Sequence, residues 1–287
     1  MKGFFLKTLL GISLVIASFY VHHSLISELL GAGIVLLCST ILIDGGEYLI
    51  NNRKRLKLIV QTKWLALTGQ YIRFSMAYQY QIKVGDEYLL VQNSNPNWSW
   101  YQHVGGKYKR LEETQHILKQ MEATDDLKMK TDGLKKGDMA VFIPAKNAIK
   151  FLDWFSSGRD RETSRWREFY EELLGGSKCE EQVLSREIFP YVNYRFIDSL
   201  QTPLRKAPID TGWGCWEILQ YDILELIPTP DQEKALIELK EKGNTEYIKW
   251  ASKALINRLG FDDERHETRF KIGRHAKWVI NNKWSET

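Results

Sequence analysis

The sequence predicts a membrane-tethered α+β protein. An N-terminal two-helix transmembrane hairpin occupies residues 1–50, a basic juxtamembrane linker 51–70, and an α/β (α+β) sandwich with a mixed sheet 71–287. Three observations lead there: two apolar runs of near-membrane length open the chain, strand-like segments alternate with turn residues, and helical patterns are interspersed among those strands.

The first apolar run extends from Phe4 to Val21 with Lys7 as its one charge, and the second from Leu25 to Ile43 with Glu28 as its one charge. Each is close to the roughly 20 residues that a helix needs to cross a bilayer core. Lys2 and Lys7 before an apolar stretch also fit a signal peptide, but a second apolar segment directly after it argues against cleavage and export. Lys2 and Lys7 on one side, and Arg53, Lys54, Arg55 and Lys57 on the other, place both ends on the cytoplasmic side. The basic cluster would sit against anionic lipid at the bilayer surface.

Beyond the linker, Arg73 to Lys83 and Glu87 to Gln92 read as strands joined by the turn Val84-Gly85-Asp86. Asn93-Ser94-Asn95-Pro96-Asn97 is a loop, and Trp98-Ser99-Trp100-Tyr101 re-enters a strand ending at Val104-Gly105-Gly106. Met139 to Ile143 is a strand stopped by Pro144; Lys146 to Phe155 is a helix closed by Ser156-Ser157-Gly158. A helix follows with Thr163 as N-cap and Gly175 or Gly176 as its left-handed end. Strands at Tyr191 to Ser199 and Trp216 to Leu226, and helices at Pro230 to Leu239 and Glu246 to Leu259, complete the chain.

Composition narrows the class. Plentiful aromatics and only 7 prolines argue against extended disorder. Three scattered cysteines, Cys38, Cys179 and Cys215, give neither a disulfide framework nor a metal-ligand spacing. A net charge of +4 offers no case for a nucleic-acid surface, and no DNA or RNA binding is expected.

The strongest chemical signal is Arg167-Glu168-Phe169-Tyr170-Glu171-Glu172, followed by Leu173-Leu174-Gly175-Gly176. On a helix, Glu168, Glu171 and Glu172 share one face, while Trp166, Phe169, Tyr170 and Leu173 share the opposite one. Like charges at this spacing cost roughly 0.2–0.5 kcal/mol per pair unless neutralised. A divalent cation would neutralise them. So would pairing of Arg165 with Glu168 and of Arg167 with Glu171, which makes an ordinary solvated helix.

This segment resembles the second half of the Nudix box, in which Gly, five residues, Glu and seven residues precede Arg-Glu-apolar-any-Glu-Glu-any-Gly-apolar. Gly106-Lys107-Tyr108-Lys109-Arg110-Leu111-Glu112 is similar to the first half. Glu112 and Arg167 are 55 positions apart where the box expects eight, so an insertion of about 47 residues splits it. The closing glycine also comes one place late, at Gly175. Thr229-Pro230-Asp231-Gln232-Glu233-Lys234-Ala235-Leu236 resembles the start of a helix common after the last Nudix strands. With the hairpin, the chain resembles membrane-anchored Nudix effectors of bacterial CBASS antiphage systems.

The resemblance implies a two-pass protein of the bacterial inner membrane, with both termini and the Nudix-like domain cytoplasmic. It implies Mg²⁺ or Mn²⁺ held by Glu168, Glu171 and Glu172, with Arg167 orienting a glutamate and Gly105 and Gly106 letting the backbone approach the site. Glu112 is a weaker ligand candidate. The partners implied are a cyclic oligonucleotide from a cGAS-like nucleotidyltransferase and the lipid bilayer. No general base is assigned: His103 is the first candidate, but His103, His266 and His275 are equally readable as structural. Trp98, Trp100, Trp213 and Trp216 could stack a nucleobase or pack the core.

Three functions remain open. The first is an effector hydrolase, switched on by the cyclic oligonucleotide, that cuts a nucleoside-diphosphate-linked substrate. The second is a catalytically inactive domain that senses the messenger while the hairpin forms a homo-oligomer and disrupts the inner membrane. The third is an anchored housekeeping protein.

Overall fold

The structure is a computed structural model that describes residues 2–20, 23–40, 50, 52–94, 99–128, 137–175, 182–208, 212 and 214–285. The chain forms two compact units, Met1–Trp64 and Leu65–Thr287.

In the first unit, helices α1 (Lys2–Ser18) and α2 (His23–Ser39) pack against each other. A Cβ added at Gly11 would lie 2.8 Å from Leu37, and one at Gly33 2.8 Å from Val15, so both glycines permit the close crossing. Among the described residues no helix is long and apolar enough to cross a membrane. This corrects the expected transmembrane hairpin and, with it, the two-pass inner-membrane placement. Each helix has 17 residues, about 26 Å at 1.5 Å per residue, against a hydrocarbon core of about 30 Å. Lys2, Lys7, Thr8 and Ser13 dilute the first, and His23, Ser24, Ser27 and Glu28 the second. Reading apolar runs without helix ends had overcounted both. Helix α3 (Arg53–Leu67) leads from the first unit into the second.

In the second unit the chain passes through β1 (Tyr71–Gln81), β2 (Lys83–Val84), β3 (Glu87–Gln92), β4 (Tyr101–His103) and β5 (Gly105–Lys107). It continues through α4 (Glu112–Gln120), β6 (Thr124–Asp125), β7 (Ala140–Pro144), α5 (Ala148–Ser157) and α6 (Trp166–Leu173). Then come β8 (Asn193–Gln201), β9 (Arg205–Lys206), β10 (Trp216–Ile227), α7 (Pro230–Glu241), β11 (Ile248–Ser252), α8 (Lys253–Asn257) and α9 (Arg274–Asn281).

The expected mixed sheet is present. Its strand order is β6–β7–β1–β10–β8, with β5 also paired to β1 and β9 to β10. β1 and β10 run parallel, from Ile72 beside Trp216 to Gln81 beside Glu225, and the other pairings are antiparallel. These two central strands are buried almost throughout, as strands covered on both faces must be. On one face Phe74 meets Phe151 of α5 at 4.6 Å between ring centroids, and Tyr80 meets Phe169 of α6 at 5.8 Å. On the other, Ala77, Leu219 and Tyr221 pack against Trp278 of α9. A smaller sheet, β11–β3–β2 with β4 on β3, packs Leu90 and Ala251 against Ala276 and Ile280 of the same helix.

The insertion within the box is not an appended lobe. Its β6 and β7 extend the central sheet, and its α5 covers one face. Elsewhere Glu246 to Leu259, expected as one helix, divides into β11 and the short α8. β11 pairs antiparallel with β3, and it buries Ile248 and Trp250 on one side and Ala251 on the other, which fits a strand covered on both faces over its second half. Helix α7 starts as expected. Thr229 Oγ1 accepts from the Gln232 N–H and Gln232 Oε1 from the Thr229 N–H, a capping box with Pro230 in the first turn.

Candidate functional site

Helix α6 lies against β5, so residues 67 positions apart in the chain meet there. An isolated eight-residue helix would be marginal in water, so tertiary packing must hold α6. Phe169 and Leu173 are fully buried on its apolar side, each worth about 1.5–3 kcal/mol of burial. The acidic side is not solvated either. Glu168 and Glu172 are each 2% exposed, which removes the solvated-helix reading.

Buried carboxylates require partners, and the strand supplies them. The Gly105 N–H donates to Glu172 Oε2 at 2.8 Å. Gly105 has φ +143, and a Cβ there would collide with the Tyr78 carbonyl; a Cβ at Gly106 would collide with the Glu168 carboxylate. Only glycine fits at Gly105, and a side chain at Gly106 would have to push the buried Glu168 carboxylate aside. Arg167 supplies the rest. Its Nη1 donates to Glu168 Oε1 at 2.8 Å and to Glu171 at 3.3 Å, its Nε to Glu162 Oε1 at 3.0 Å, and its Nη2 to the Lys107 carbonyl at 2.7 Å. Burial by itself would lower the Arg167 pKa, but Glu162 and Glu168 outweigh it and hold the guanidinium firmly charged. The Glu168 N–H donates to Tyr78 Oη at 3.2 Å; burial, and then Glu168, push the Tyr78 pKa upward.

Carboxylate oxygens are suitable donors for the Mg²⁺ or Mn²⁺ that the box implies. In this structure the three glutamates are engaged by protein groups. Among the described residues no three His, Cys, Asp or Glu side chains are grouped to hold a metal. Glu168 and Glu171 share one guanidinium, and Glu172 is engaged by a backbone amide.

Gly105, Gly106, Arg167, Glu168, Glu171 and Glu172 are therefore brought together. Glu112 is not: it is exposed in the first turn of α4. His103 is fully buried, with Nε2 3.2 Å from the Ala276 carbonyl and its ring edge-on to Tyr88. Burial lowers its pKa to about 4, with the Ala276 and Tyr80 backbones partly opposing that shift, so near neutral pH it is an uncharged core residue. His275 stacks on Tyr221, and burial, then Lys107, Arg205 and Arg274, lower its pKa to about 4 as well. His266 stands exposed at φ +54. Gly175 ends α6 in the left-handed region at φ +77, whereas the residue before the helix is Arg165 and not Thr163. Trp98, Trp213 and Gly176 lie outside the described residues. Trp216 packs under Lys206, 4.7 Å from Nζ to the ring centroid, and Trp100 lies beside Gly273.

The sequence reading missed Glu162 and a second network at the start of α6. There Arg165 Nε donates to Tyr108 Oη at 3.0 Å and Nη2 to Asp222 Oδ2 at 3.1 Å. Tyr108 Oη also donates to Asp222, and Ser199 Oγ donates to its other oxygen at 2.8 Å. No local motif joins these four residues; the residue after β5, the residue before α6, β8 and β10 bring them together.

No curated protein and no solved structure shows a significant match. A family model described as the SMODS-associated NUDIX domain matches residues 71–280, which takes in the central sheet, the insertion and α6. With the box halves joined across β5 and α6, the chain belongs to the SMODS-associated NUDIX domain family.

Proposed function

We propose that this Nudix effector of an SMODS/CBASS-type defence system acts by recognising a nucleotide signal, a cyclic oligonucleotide made by the system's nucleotidyltransferase. The observation that carries this reading is the closure of the acidic cluster: Arg167 and the Gly105 amide already engage the glutamates that a hydrolytic metal would need. An arginine-closed box can retain the fold and a nucleotide pocket without turnover.

The rival reading is metal-dependent hydrolysis of a diphosphate, since Nudix domains typically use Mg²⁺ or Mn²⁺. It is favoured by one specific fact. Three carboxylates, Glu162, Glu168 and Glu171, converge on the Arg167 guanidinium, and clustered carboxylate oxygens are the donors a hard divalent cation takes.

The full chain should be titrated calorimetrically with cyclic di- and trinucleotides, and assayed with Mg²⁺ against a panel of dinucleotides. Saturable binding that persists in Glu171→Gln, with no turnover, is the expected result. Glu171 is the most accessible of the three helix glutamates, so this variant should fold. Mg²⁺-dependent hydrolysis abolished by Glu171→Gln would overturn the recognition reading in favour of the enzyme.

A further inference from the structure

Strand β8 closes one edge of the central sheet, and most of its side chains are exposed. Tyr194 and Phe196 stand opposite Leu226 and Leu224, on the sheet face that carries Tyr78, Tyr80 and Asp222. Phe196 is 51% exposed and Tyr194 37%. Single exposed apolar side chains are ordinary; two aromatic rings flanking a fixed guanidinium are not. The Arg165 guanidinium carbon lies 5.9 Å from the ring centroids of Tyr108, Tyr194 and Phe196 alike. It cannot swing away freely, because Tyr108 and Asp222 hold it from below. Tyr80 Oη, donating to the Arg165 carbonyl at 2.9 Å, fixes its backbone too.

We propose that Tyr194, Phe196 and Arg165 form a stacking platform for one nucleobase of the bound nucleotide. The inference rests on the nucleotide-recognition reading and assigns it a place. Charge decides which part of a nucleotide belongs here. The Arg165 cation is matched by Asp222, and the neighbouring Arg161 is buried and donates to the Phe155 and Glu162 carbonyls, so neither guanidinium is presented to a phosphate as an open point charge. What the surface offers is π-faces and a guanidinium plane, on which any base can stack. Polar groups lie further along the same face: Gln220 Nε2 donates to Ser199 Oγ at 2.9 Å, and Ser199 in turn donates to Asp222. They suit the edge of a base, not a purely apolar partner.

The test uses the full chain and the cyclic nucleotide bound most tightly by the wild type, with Phe196→Ala, Tyr194→Ala and Phe196→Trp as variants. Stacking on an aromatic ring is worth about 1–3 kcal/mol per base, so each alanine variant should weaken binding about tenfold or more while Phe196→Trp retains it. An 8-azidoadenine version of the ligand should crosslink within residues 193–201. Unchanged affinity in both alanine variants, with wild-type binding intact, would overturn the platform and leave the nucleotide reading standing. No binding of any cyclic nucleotide by the wild type would overturn both. If Phe196→Ala instead dissociates a dimer in sedimentation and leaves affinity unchanged, the patch is a surface for a second copy and the platform is overturned.

Discussion

The two ends of the surroundings of α6 place their side chains in opposite ways. On the β5 side, Glu168 and Glu172 are 2% exposed and turned inward onto Arg167 and the Gly105 amide. On the β8 side, Tyr194 and Phe196 are turned outward, and the arginine beside them is already matched by Asp222. Charge inside and aromatic surface outside reverse the usual distribution. The inward charges explain how a box split by a long insertion keeps its geometry, because Glu172 is tied to β5 directly and Glu168 and Glu171 through Arg167, which reaches the Lys107 carbonyl. The outward rings are what remain for a ligand to use.

The largest effect should come from removing the arginine that closes the acidic side. Arg167→Met leaves Glu162, Glu168 and Glu171 without their shared cation, and breaking a buried pair from one side costs about 3–5 kcal/mol. Arg167 keeps 23% side-chain exposure, so the lower end of that range is expected in urea unfolding. Mg²⁺ should then raise the melting temperature of Arg167→Met more than that of the wild type. Equal Mg²⁺ responses would mean that arginine and cation do not compete for one cluster, and the contrast between the two sides would lose its basis.

Gly105→Ala should cost on the order of 3 kcal/mol. A side chain at φ +143 carries backbone strain, and its Cβ would press on the Tyr78 carbonyl in the neighbouring strand. A loss below about 1 kcal/mol in urea unfolding would show that β5 can move away from β1, and the acidic side would be less tightly built than its contacts indicate.

Acid titration separates the inward-turned carboxylates from the core beneath them. His103 has a folded pKa of about 4 against an ordinary 6.5, so the unfolded chain binds the proton more readily. Stability from the neutral imidazole is fully present above about pH 6.5 and declines as pH falls toward 4, by roughly 2 kcal/mol at pH 5. His275, lowered to the same value, adds a similar loss, so unfolding measured at pH 7.5 and pH 5 should show both and His103→Gln should remove about half. An unchanged slope in that variant would move the acid sensitivity elsewhere.

How much of this was legible in the sequence follows from the range of the interactions. The start of α7 at Pro230, the β1, β3 and β10 strands and the acidic helix are written in local spacing, and local rules found them. The ends of α1 and α2 were not, because apolar content does not mark where a helix stops. Nor could spacing show that Glu168 and Glu172 are buried. That depends on a strand glycine contributed from more than 60 residues away. Tyr194 and Phe196 read simply as strand residues, and their exposure is a property of β8 lying at the sheet edge.

The smallest effect is the most discriminating. If the β8 rings are there for a ligand and not for the fold, Phe196→Ser should change unfolding stability by no more than about 0.5 kcal/mol, the usual range for surface positions. A core aromatic truncated this way costs about 3–5 kcal/mol, so the two cases differ well beyond experimental error. The neighbouring Arg165 contacts do not enlarge the expected loss, because Tyr108 and Asp222 hold the guanidinium from the other side. A cost near 2 kcal/mol would mean that Phe196 completes the packing over Arg165, making the platform part of the scaffold and ending the contrast with the acidic side. A neutral result combined with weakened nucleotide binding would place Phe196 where only a ligand needs it.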